Sequence, residues 1–420
     1  IAETGGINAM VVDSSALSEQ VVHDALGSAF DSAGQRCSAL RVLCLQEEIA
    51  DRVLAMLRGA LRELAVGDPA LLATDIGPVI DAEARARLEA HVERMSATHR
   101  VERQPLPAAA AHGTFVAPTL IEIDSLAQLG REVFGPVLHV LRYRRAELGP
   151  LIENINATGY GLTFGVHSRI DETIDYVTSR VRAGNLYVNR NMIGAVVGVQ
   201  PFGGLGLSGT GPKAGGPLLL HRLRRGQPAP ALPVAAGATL PPAFVALRAW
   251  AGSSGRDALA RRCDALARST PWVRAVDLAG PTGESNRLRF IARGRALCTA
   301  TDDDELLRQI AAALATGNRV LACAPGGAAI VAQLPEPVRQ RVTVVDDLPV
   351  GECDVALCSP AQATATRRAL ADGDGPRVRA VTPEAADGGY PLDALVAEQT
   401  LSVNTAAAGG NASLMTLAPA

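Results

Sequence analysis

Short apolar runs alternate with stretches of helical spacing along most of the chain, and this alternation narrows the choice of fold more than any other feature. Residues 7–13, 39–45, 118–123, 136–143 and 184–189 are runs of strand length. Residues 15–30, 48–65, 81–97 and 171–182 have the character of helices. Strands and helices taken in turn imply an α/β domain with a largely parallel sheet. At 420 residues the chain is too long for one ordinary core, so two or more domains are expected. The texture changes near residue 226, where Gln227–Ala243 is dominated by Pro, Ala and Gly, as in a linker. A second alternation follows, with candidate helices at 256–268, 303–315 and 361–371. Its candidate strands are 288–292, 319–323, 341–345 and 353–357.

Composition excludes several function classes. With 48% hydrophobic and 20% charged residues, the chain belongs with soluble globular proteins. A net charge of −3 leaves no basic footprint for nucleic acid. Seven cysteines without paired spacing do not form a disulfide framework and fit a reducing cytoplasm. No apolar run approaches the roughly 18 residues of a membrane span. The sequence opens at Ile1 without an initiator Met and a dense motif begins at once, so an upstream segment is expected to be missing.

Four motifs carry the chemistry. In Gly34-Gln-Arg-Cys-Ser-Ala, between a helix and a strand, Cys37 has the setting of a nucleophile, with Arg36 and backbone N–H groups available to favour its ionised form. Taken alone, it would more often be a small buried hydrophobe. Glu3 lies 34 positions earlier (37 minus 3) in Ala-Glu-Thr-Gly-Gly, where paired glycines let the backbone pass close to a ligand. A carboxylate there can deprotonate a water, although a lone Glu3 would more often be a surface acid. In Arg131-Glu-Val-Phe-Gly-Pro, Glu132 and Phe134 share one side of an extended chain. Such a pair can hold a ribose and pack against a flat ring, and a turn with a half-buried Phe fits the spacing equally well. Finally, Gln200-Pro-Phe-Gly-Gly-Leu-Gly-Leu-Ser-Gly formally contains G-x-G-x-x-G at Gly204, Gly206 and Gly209. It is rejected as a dinucleotide fingerprint, because no confident strand leads into it and Pro212 stands where a helix should begin. A glycine-rich loop lining a pocket is the expectation. The other six cysteines, Cys44, Cys263, Cys298, Cys323, Cys353 and Cys358, are left as structural.

These four motifs, in this order, resemble the aldehyde dehydrogenase superfamily over roughly residues 1–225. Within it they are most similar to the glutamate-semialdehyde (1-pyrroline-5-carboxylate) dehydrogenase part of the bifunctional proline utilization A family. The resemblance implies an aldehyde dehydrogenase catalytic region over 1–225 and a linker over 226–244. It further implies a second, Rossmann-like α/β domain with a structural role over 245–385 and a tail motif over 386–420. By similarity, Cys37 attacks the aldehyde and Glu3 activates the water that releases the acid. Gly5, Glu132 and Phe134 are assigned to NAD; Ser38, Gly194, Ala195 and Phe202 to the substrate. Consecutive N–H groups beside Gly194, with the Ser38 hydroxyl, suit a carboxylate, and the implied product is L-glutamate.

No metal is implied. The family's dinucleotide-binding segment lies mostly upstream of Glu3, as would a proline dehydrogenase domain with its FAD. The resemblance also implies a homo-oligomer in the parent protein, and a tail after Tyr390 that covers a passage between active sites. The chain departs from the family at Leu218-Leu219-Leu220, where a His-Tyr pair is expected. Two other readings compete with this one. The chain is a dehydrogenase for another short carboxylate-bearing aldehyde, or, taken by itself, a non-catalytic assembly module.

Overall fold

The computed structural model describes residues 1–224, 232–384 and 388–406, which form two compact units. The first comprises residues 1–209 together with 278–286 and the described part of 400–420. Its strands are β1 (Ala9–Val12), β2 (Val42–Gln46), β3 (Val101–Arg103), β4 (Thr119–Ile123) and β5 (Val137–Tyr143). After them come β6 (Tyr160–Gly161), β7 (Thr163–His167), β8 (Asn185–Val188) and β9 (Leu205–Gly206). The helices are α1 (Ser18–Phe30), α2 (Glu47–Glu63), α3 (Ala82–Ser96), α4 (Leu148–Ala157) and α5 (Asp171–Thr178). The main sheet runs β8-β7-β1-β2-β5-β4-β3 and is parallel except for β3. Residues Thr400–Val403 add a parallel strand against Asn185–Val188 of β8.

Local sequence explains these elements. β1 and β2 are buried along their whole length, as strands covered on both faces must be. α2 turns Ile49, Val53, Leu57 and Leu61 inward, with Glu47 and Glu48 in its first turn and Arg62 in its last, matching the helix dipole. Asp81 caps α3 by accepting the Ala84 N–H at 2.7 Å. The segment expected to be helical over 171–182 stops at Thr178, because Val181 and Ala183 turn into the core as the chain straightens toward β8.

Parallel strands place their preceding loops at one edge. The segments before β1, β2, β5 and β7 therefore gather together, and Glu3–Asn8, Gly34–Arg41, Glu132–Pro136 and Leu162 lie in them.

The second unit comprises residues 210–277 and 287–399. It holds α6 (Leu218–Leu223), α7 (Pro242–Ser253) and α8 (Asp257–Ser269), then β10 (Ala275–Leu278), β11 (Glu284–Ala292), β12 (Arg295–Thr299) and α9 (Asp303–Ala315). Next are β13 (Arg319–Cys323), α10 (Gly327–Ala332), α11 (Glu336–Arg339), β14 (Val342–Val344), β15 (Val355–Cys358), α12 (Ala363–Asp372), β16 (Arg379–Val381) and β17 (Val396–Asn404). β10, β11 and β17 each carry residues of both units. A five-stranded parallel sheet, β14-β13-β12-β15-β16, reverses its order between β12 and β15. In such sheets that switch point opens a ligand crevice. Here Gln309 donates to the Thr299 carbonyl at 3.2 Å and to the Tyr390 hydroxyl at 2.8 Å, and Tyr390 reaches the Cys358 carbonyl at 3.3 Å. Side chains of the unit itself thus bridge the strand ends at that point. α7 starts within the stretch that reads as linker, because Pro242 is well suited to a first helical turn. Residues 225–231, which include the start of that stretch, and the tail after 406 lie outside the described residues.

Candidate active site

The loop carrying Cys37 is tied down before it is reactive. α1 ends at Phe30, and Ser32, Ala33 and Gly34 follow with φ of 56°, 55° and 63°. Two of these are not glycine, and a left-handed conformation costs each of them of order 1–3 kcal/mol unless its surroundings impose it. The surroundings do so here. Arg41, 1% exposed, sends Nη1 to the Gly34 carbonyl at 2.8 Å and to the Gly135 carbonyl at 3.2 Å, and Nη2 to the Arg36 carbonyl at 3.1 Å. From the other side, Asn8 Nδ2 donates to the Cys37 carbonyl at 2.7 Å and the Ala39 carbonyl at 2.9 Å. Asn8 Oδ1 accepts the Thr163 N–H at 3.2 Å, and the Thr163 hydroxyl holds the Ser38 carbonyl at 3.0 Å.

Cys37 is half-buried on this turn, and its thiol lies above the ordinary range. Burial is the main cause and the charge of Glu132 the next, with Glu3 adding a smaller push. The N–H groups of Ser38 and of Cys37 itself pull the other way. Arg36, expected to favour the thiolate, directs Nε to the Ser32 hydroxyl at 3.1 Å and is not among the groups that act on the thiol. The backbone N–H groups do favour the thiolate, but acid charge and burial outweigh them.

Glu132 and Phe134 both meet Arg41. Glu132 Oε1 accepts from Arg41 Nε at 3.3 Å and Nη2 at 3.1 Å, and the Phe134 ring centroid lies 5.1 Å from the guanidinium carbon. Burial raises the Glu132 carboxyl above its usual range, against the pull of Arg41 and of the Gly6 N–H. Phe134 is 44% exposed, so its ring is available to solvent rather than half-buried in a turn. A Cβ on Gly5 would fall on the Glu132 carboxylate, so the glycine makes room for the acid.

Glu3 points into the glycine-rich loop. Its carboxylate accepts the Gly204 N–H at 2.8 Å, and a Cβ on Gly209 would stand 2.7 Å from it. Thr4 reinforces the contact through the Ser208 carbonyl at 3.0 Å. Residues 203–217 contain only turns, bridges and the two-residue β9, in keeping with the rejected dinucleotide fingerprint.

The residues expected at the substrate are placed by backbone anchors. Ser38 is buried beneath the Cys37 turn. The Met192 N–H is held by Ser28 Oγ at 3.0 Å, and the Ser28 carbonyl accepts the Leu40 N–H at 2.9 Å. Two residues beyond Met192, Gly194 has φ of 73° with open space where a Cβ would lie, and Ala195 is half-buried. Phe202, also half-buried, sits between Pro201 and Gly203, whose backbones are pinned by Asn185 at 3.0 and 3.3 Å.

Two residues of the site escape the sequence reading, Arg41 and Asn8. The signal for Arg41 was available: a guanidinium inside the apolar run Ala39-Leu-Arg-Val-Leu has to find acceptors. Of the six cysteines left as structural, all but half-buried Cys323 are buried, and burial holds the Cys44 thiol up at about 12. Among the described residues, no cluster of His, Cys, Asp or Glu could hold a metal, and no helix is long and apolar enough to cross a membrane.

Comparison with known proteins identifies the family. The aldehyde dehydrogenase family profile matches residues 1–225. The chain is 51% identical to the bifunctional protein PutA of Escherichia coli K12 over 99% of its own length and 33% of that protein. It is 39% identical to the 1-pyrroline-5-carboxylate dehydrogenase of Geobacillus kaustophilus over 53% of the chain and 43% of the relative. The structure of proline utilization A from Corynebacterium freiburgense superposes with a TM-score of 0.71 at 27% identity, covering 96% of this chain and 39% of that one. The chain therefore spans about a third of the length of the PutA relatives it matches. The profile match and the shared fold show that this chain belongs to the aldehyde dehydrogenase family.

Proposed function

We propose that this chain supplies the thiol and the base for oxidising L-glutamate γ-semialdehyde, derived from 1-pyrroline-5-carboxylate, to L-glutamate with NAD. The observation that carries the reading is Cys37 on a braced turn, its sulfur facing two N–H groups and within electrostatic reach of two carboxylates. The names of the relatives, PutA and 1-pyrroline-5-carboxylate dehydrogenase, supply the substrate class.

The thiol lies above its ordinary range, so at neutral pH it must lose its proton as the S–C bond forms. That proton passes to solvent water, which leaves Glu3 ionised for the later step. The oxyanion of the thiohemiacetal then meets the Cys37 N–H, which already faces the sulfur. NAD, when bound, accepts the hydride that turns this adduct into a thioester. An exposed Phe134 ring, the Glu132 carboxylate and the side-chain-free backbone of Gly5 suit a ribose and a flat ring and would hold that group. Glu3 then takes a proton from water, which attacks the thioester; the S–C bond breaks and the thiol is restored. Ser38 and the backbone at Gly194 and Ala195 would bind the substrate carboxylate, with Phe202 against its methylene chain.

In the full-length protein, Cys37→Ala is expected to abolish semialdehyde oxidation, and retained oxidation would overturn the assignment. The related reading, a dehydrogenase for another short acidic aldehyde, is separated by kcat/KM for glutamate semialdehyde against succinate semialdehyde. A preference for the latter would reverse the choice of substrate.

A further inference from the structure

Behind the Cys37 turn lies a hydrogen-bond chain that neither the fold nor the proposed chemistry accounts for. His139, fully buried in β5, places Nδ1 3.1 Å from the Arg41 carbonyl, which also accepts the His139 N–H at 3.0 Å. Its Nε2 lies 2.9 Å from Nε2 of His91, buried on α3, with the rings edge to face. His91 Nδ1 lies 2.7 Å from Nη2 of Arg94, exposed at the end of α3.

One proton arrangement satisfies every contact. A guanidinium only donates, so His91 Nδ1 accepts and His91 Nε2–H donates. His139 Nε2 then accepts, leaving Nδ1–H to donate to the Arg41 carbonyl. The carbonyl requires the same assignment from the opposite end, because it only accepts. Both rings are therefore neutral. Burial and positive neighbours keep them so: Arg94 and Arg131 face His91, while Arg41 faces His139. Of the acids around the pair, Asp124 is turned to His99 at 4.0 Å and Glu132 is paired with Arg41 at 3.1 Å.

We propose that His139, locked through His91 to Arg94, is a positioning residue for the Cys37 turn. It uses both lone pairs of the Arg41 carbonyl and so fixes the root of the side chain that spans Gly34, Arg36, Gly135 and Glu132. The strained left-handed turn at Ser32–Gly34 holds its shape because that guanidinium is not free to move. Without the chain the turn relaxes, water reaches Cys37, and the thiol becomes easier to ionise and to reach.

The test reads Cys37 directly, so it does not depend on Cys37 being the reacting thiol; only the consequence for turnover rests on that reading. The chain is alkylated with iodoacetamide at about pH 8, and the Cys37 and Cys323 peptides are followed by mass spectrometry. Cys323, half-buried in the second unit, is the internal control for global opening. His139→Leu is expected to speed Cys37 alkylation by about fivefold with Cys323 unchanged. His139→Asn, which keeps an N–H for the Arg41 carbonyl, should stay within about twofold of the parent. His91→Leu, which removes only the link to α3, should fall between them. The proposal is overturned if both leucine variants leave the Cys37 rate within about twofold of the parent, or if the asparagine variant is as fast as the leucine one. If Cys323 accelerates along with Cys37 in His139→Leu, that variant has opened globally, and His91→Leu and His139→Asn decide. Loss of turnover in Cys37→Ala with unchanged alkylation in these variants would keep the proposed function and discard the positioning role. The reverse pattern would do the opposite.

Discussion

At the scale of single residues, one guanidinium organises the site. Arg41 joins the Cys37 turn, the Gly135 backbone and Glu132, so changes in Glu132 should be felt at the sulfur. Replacing Glu132 by Gln removes a negative charge beside the thiol and leaves Arg41 uncompensated, and both effects favour the thiolate. Glu132→Gln is therefore expected to move the midpoint of the Cys37 alkylation profile to lower pH and to speed alkylation near pH 7.5 about threefold. An unchanged or raised midpoint would contradict the electrostatic account. Asn8→Ala strips two hydrogen bonds from the turn and one acceptor from Thr163, and should cost about 2–4 kcal/mol, measured by denaturant titration. The sequence showed Cys37, Glu3, Glu132 and Phe134 because local patterns flag them, and the structure brings Glu3 and Glu132 within electrostatic reach of the thiol. It did not show Asn8, since an amide at a strand entry has no pattern until the loop it clamps is folded against it.

At the scale of elements, the buried histidines make stability depend on pH. His91 and His139 lie at about 4 and about 3, and His167 at about 4, each pulled down chiefly by burial. An unfolded histidine titrates near 6.5, so below that value the unfolded chain binds the extra protons. The stability held by these rings is complete above about pH 6.5 and is lost as the pH falls toward 4. Asp24 opposes this. Burial raises its carboxyl from 3.8 to about 6, so folding gains as the pH falls through that range. Burial raises Asp31, Glu132 and Glu398 as well, but carboxyls ionise below histidines, so at about pH 5 the three rings dominate and the denaturant midpoint should be lower there than at about pH 7.5. Equal midpoints would mean that the rings are not neutral in the folded state. The elements themselves were largely legible: α9 and β13 fall on their expected residues, because Asp302 caps the helix and apolar runs mark the strand. β12 was not, since only Arg293 and Gly294 separate it from β11 and nothing in the sequence marks two strands there.

At the scale of the whole molecule, thiol chemistry should discriminate sharply. Five of the seven cysteines are buried in two different units, and only Cys37 and Cys323 are half-buried. Native alkylation is expected to label those two and spare Cys44, Cys263, Cys298, Cys353 and Cys358 until denaturant is added. Labelling of Cys44 under native conditions would contradict the packing of β2. The order of synthesis adds a further consequence. On the side away from β7, the parallel partner of β8 is Thr400–Val403, more than two hundred residues later in the chain. Until the ribosome reaches it, one edge of the catalytic sheet stands with its N–H and C=O groups uncovered, a template for any other extended chain. The strand at Thr400–Val403 thus acts as a late guard on the nascent protein, and a gene cut short before Val396 should yield aggregates even though every residue of the site has been made.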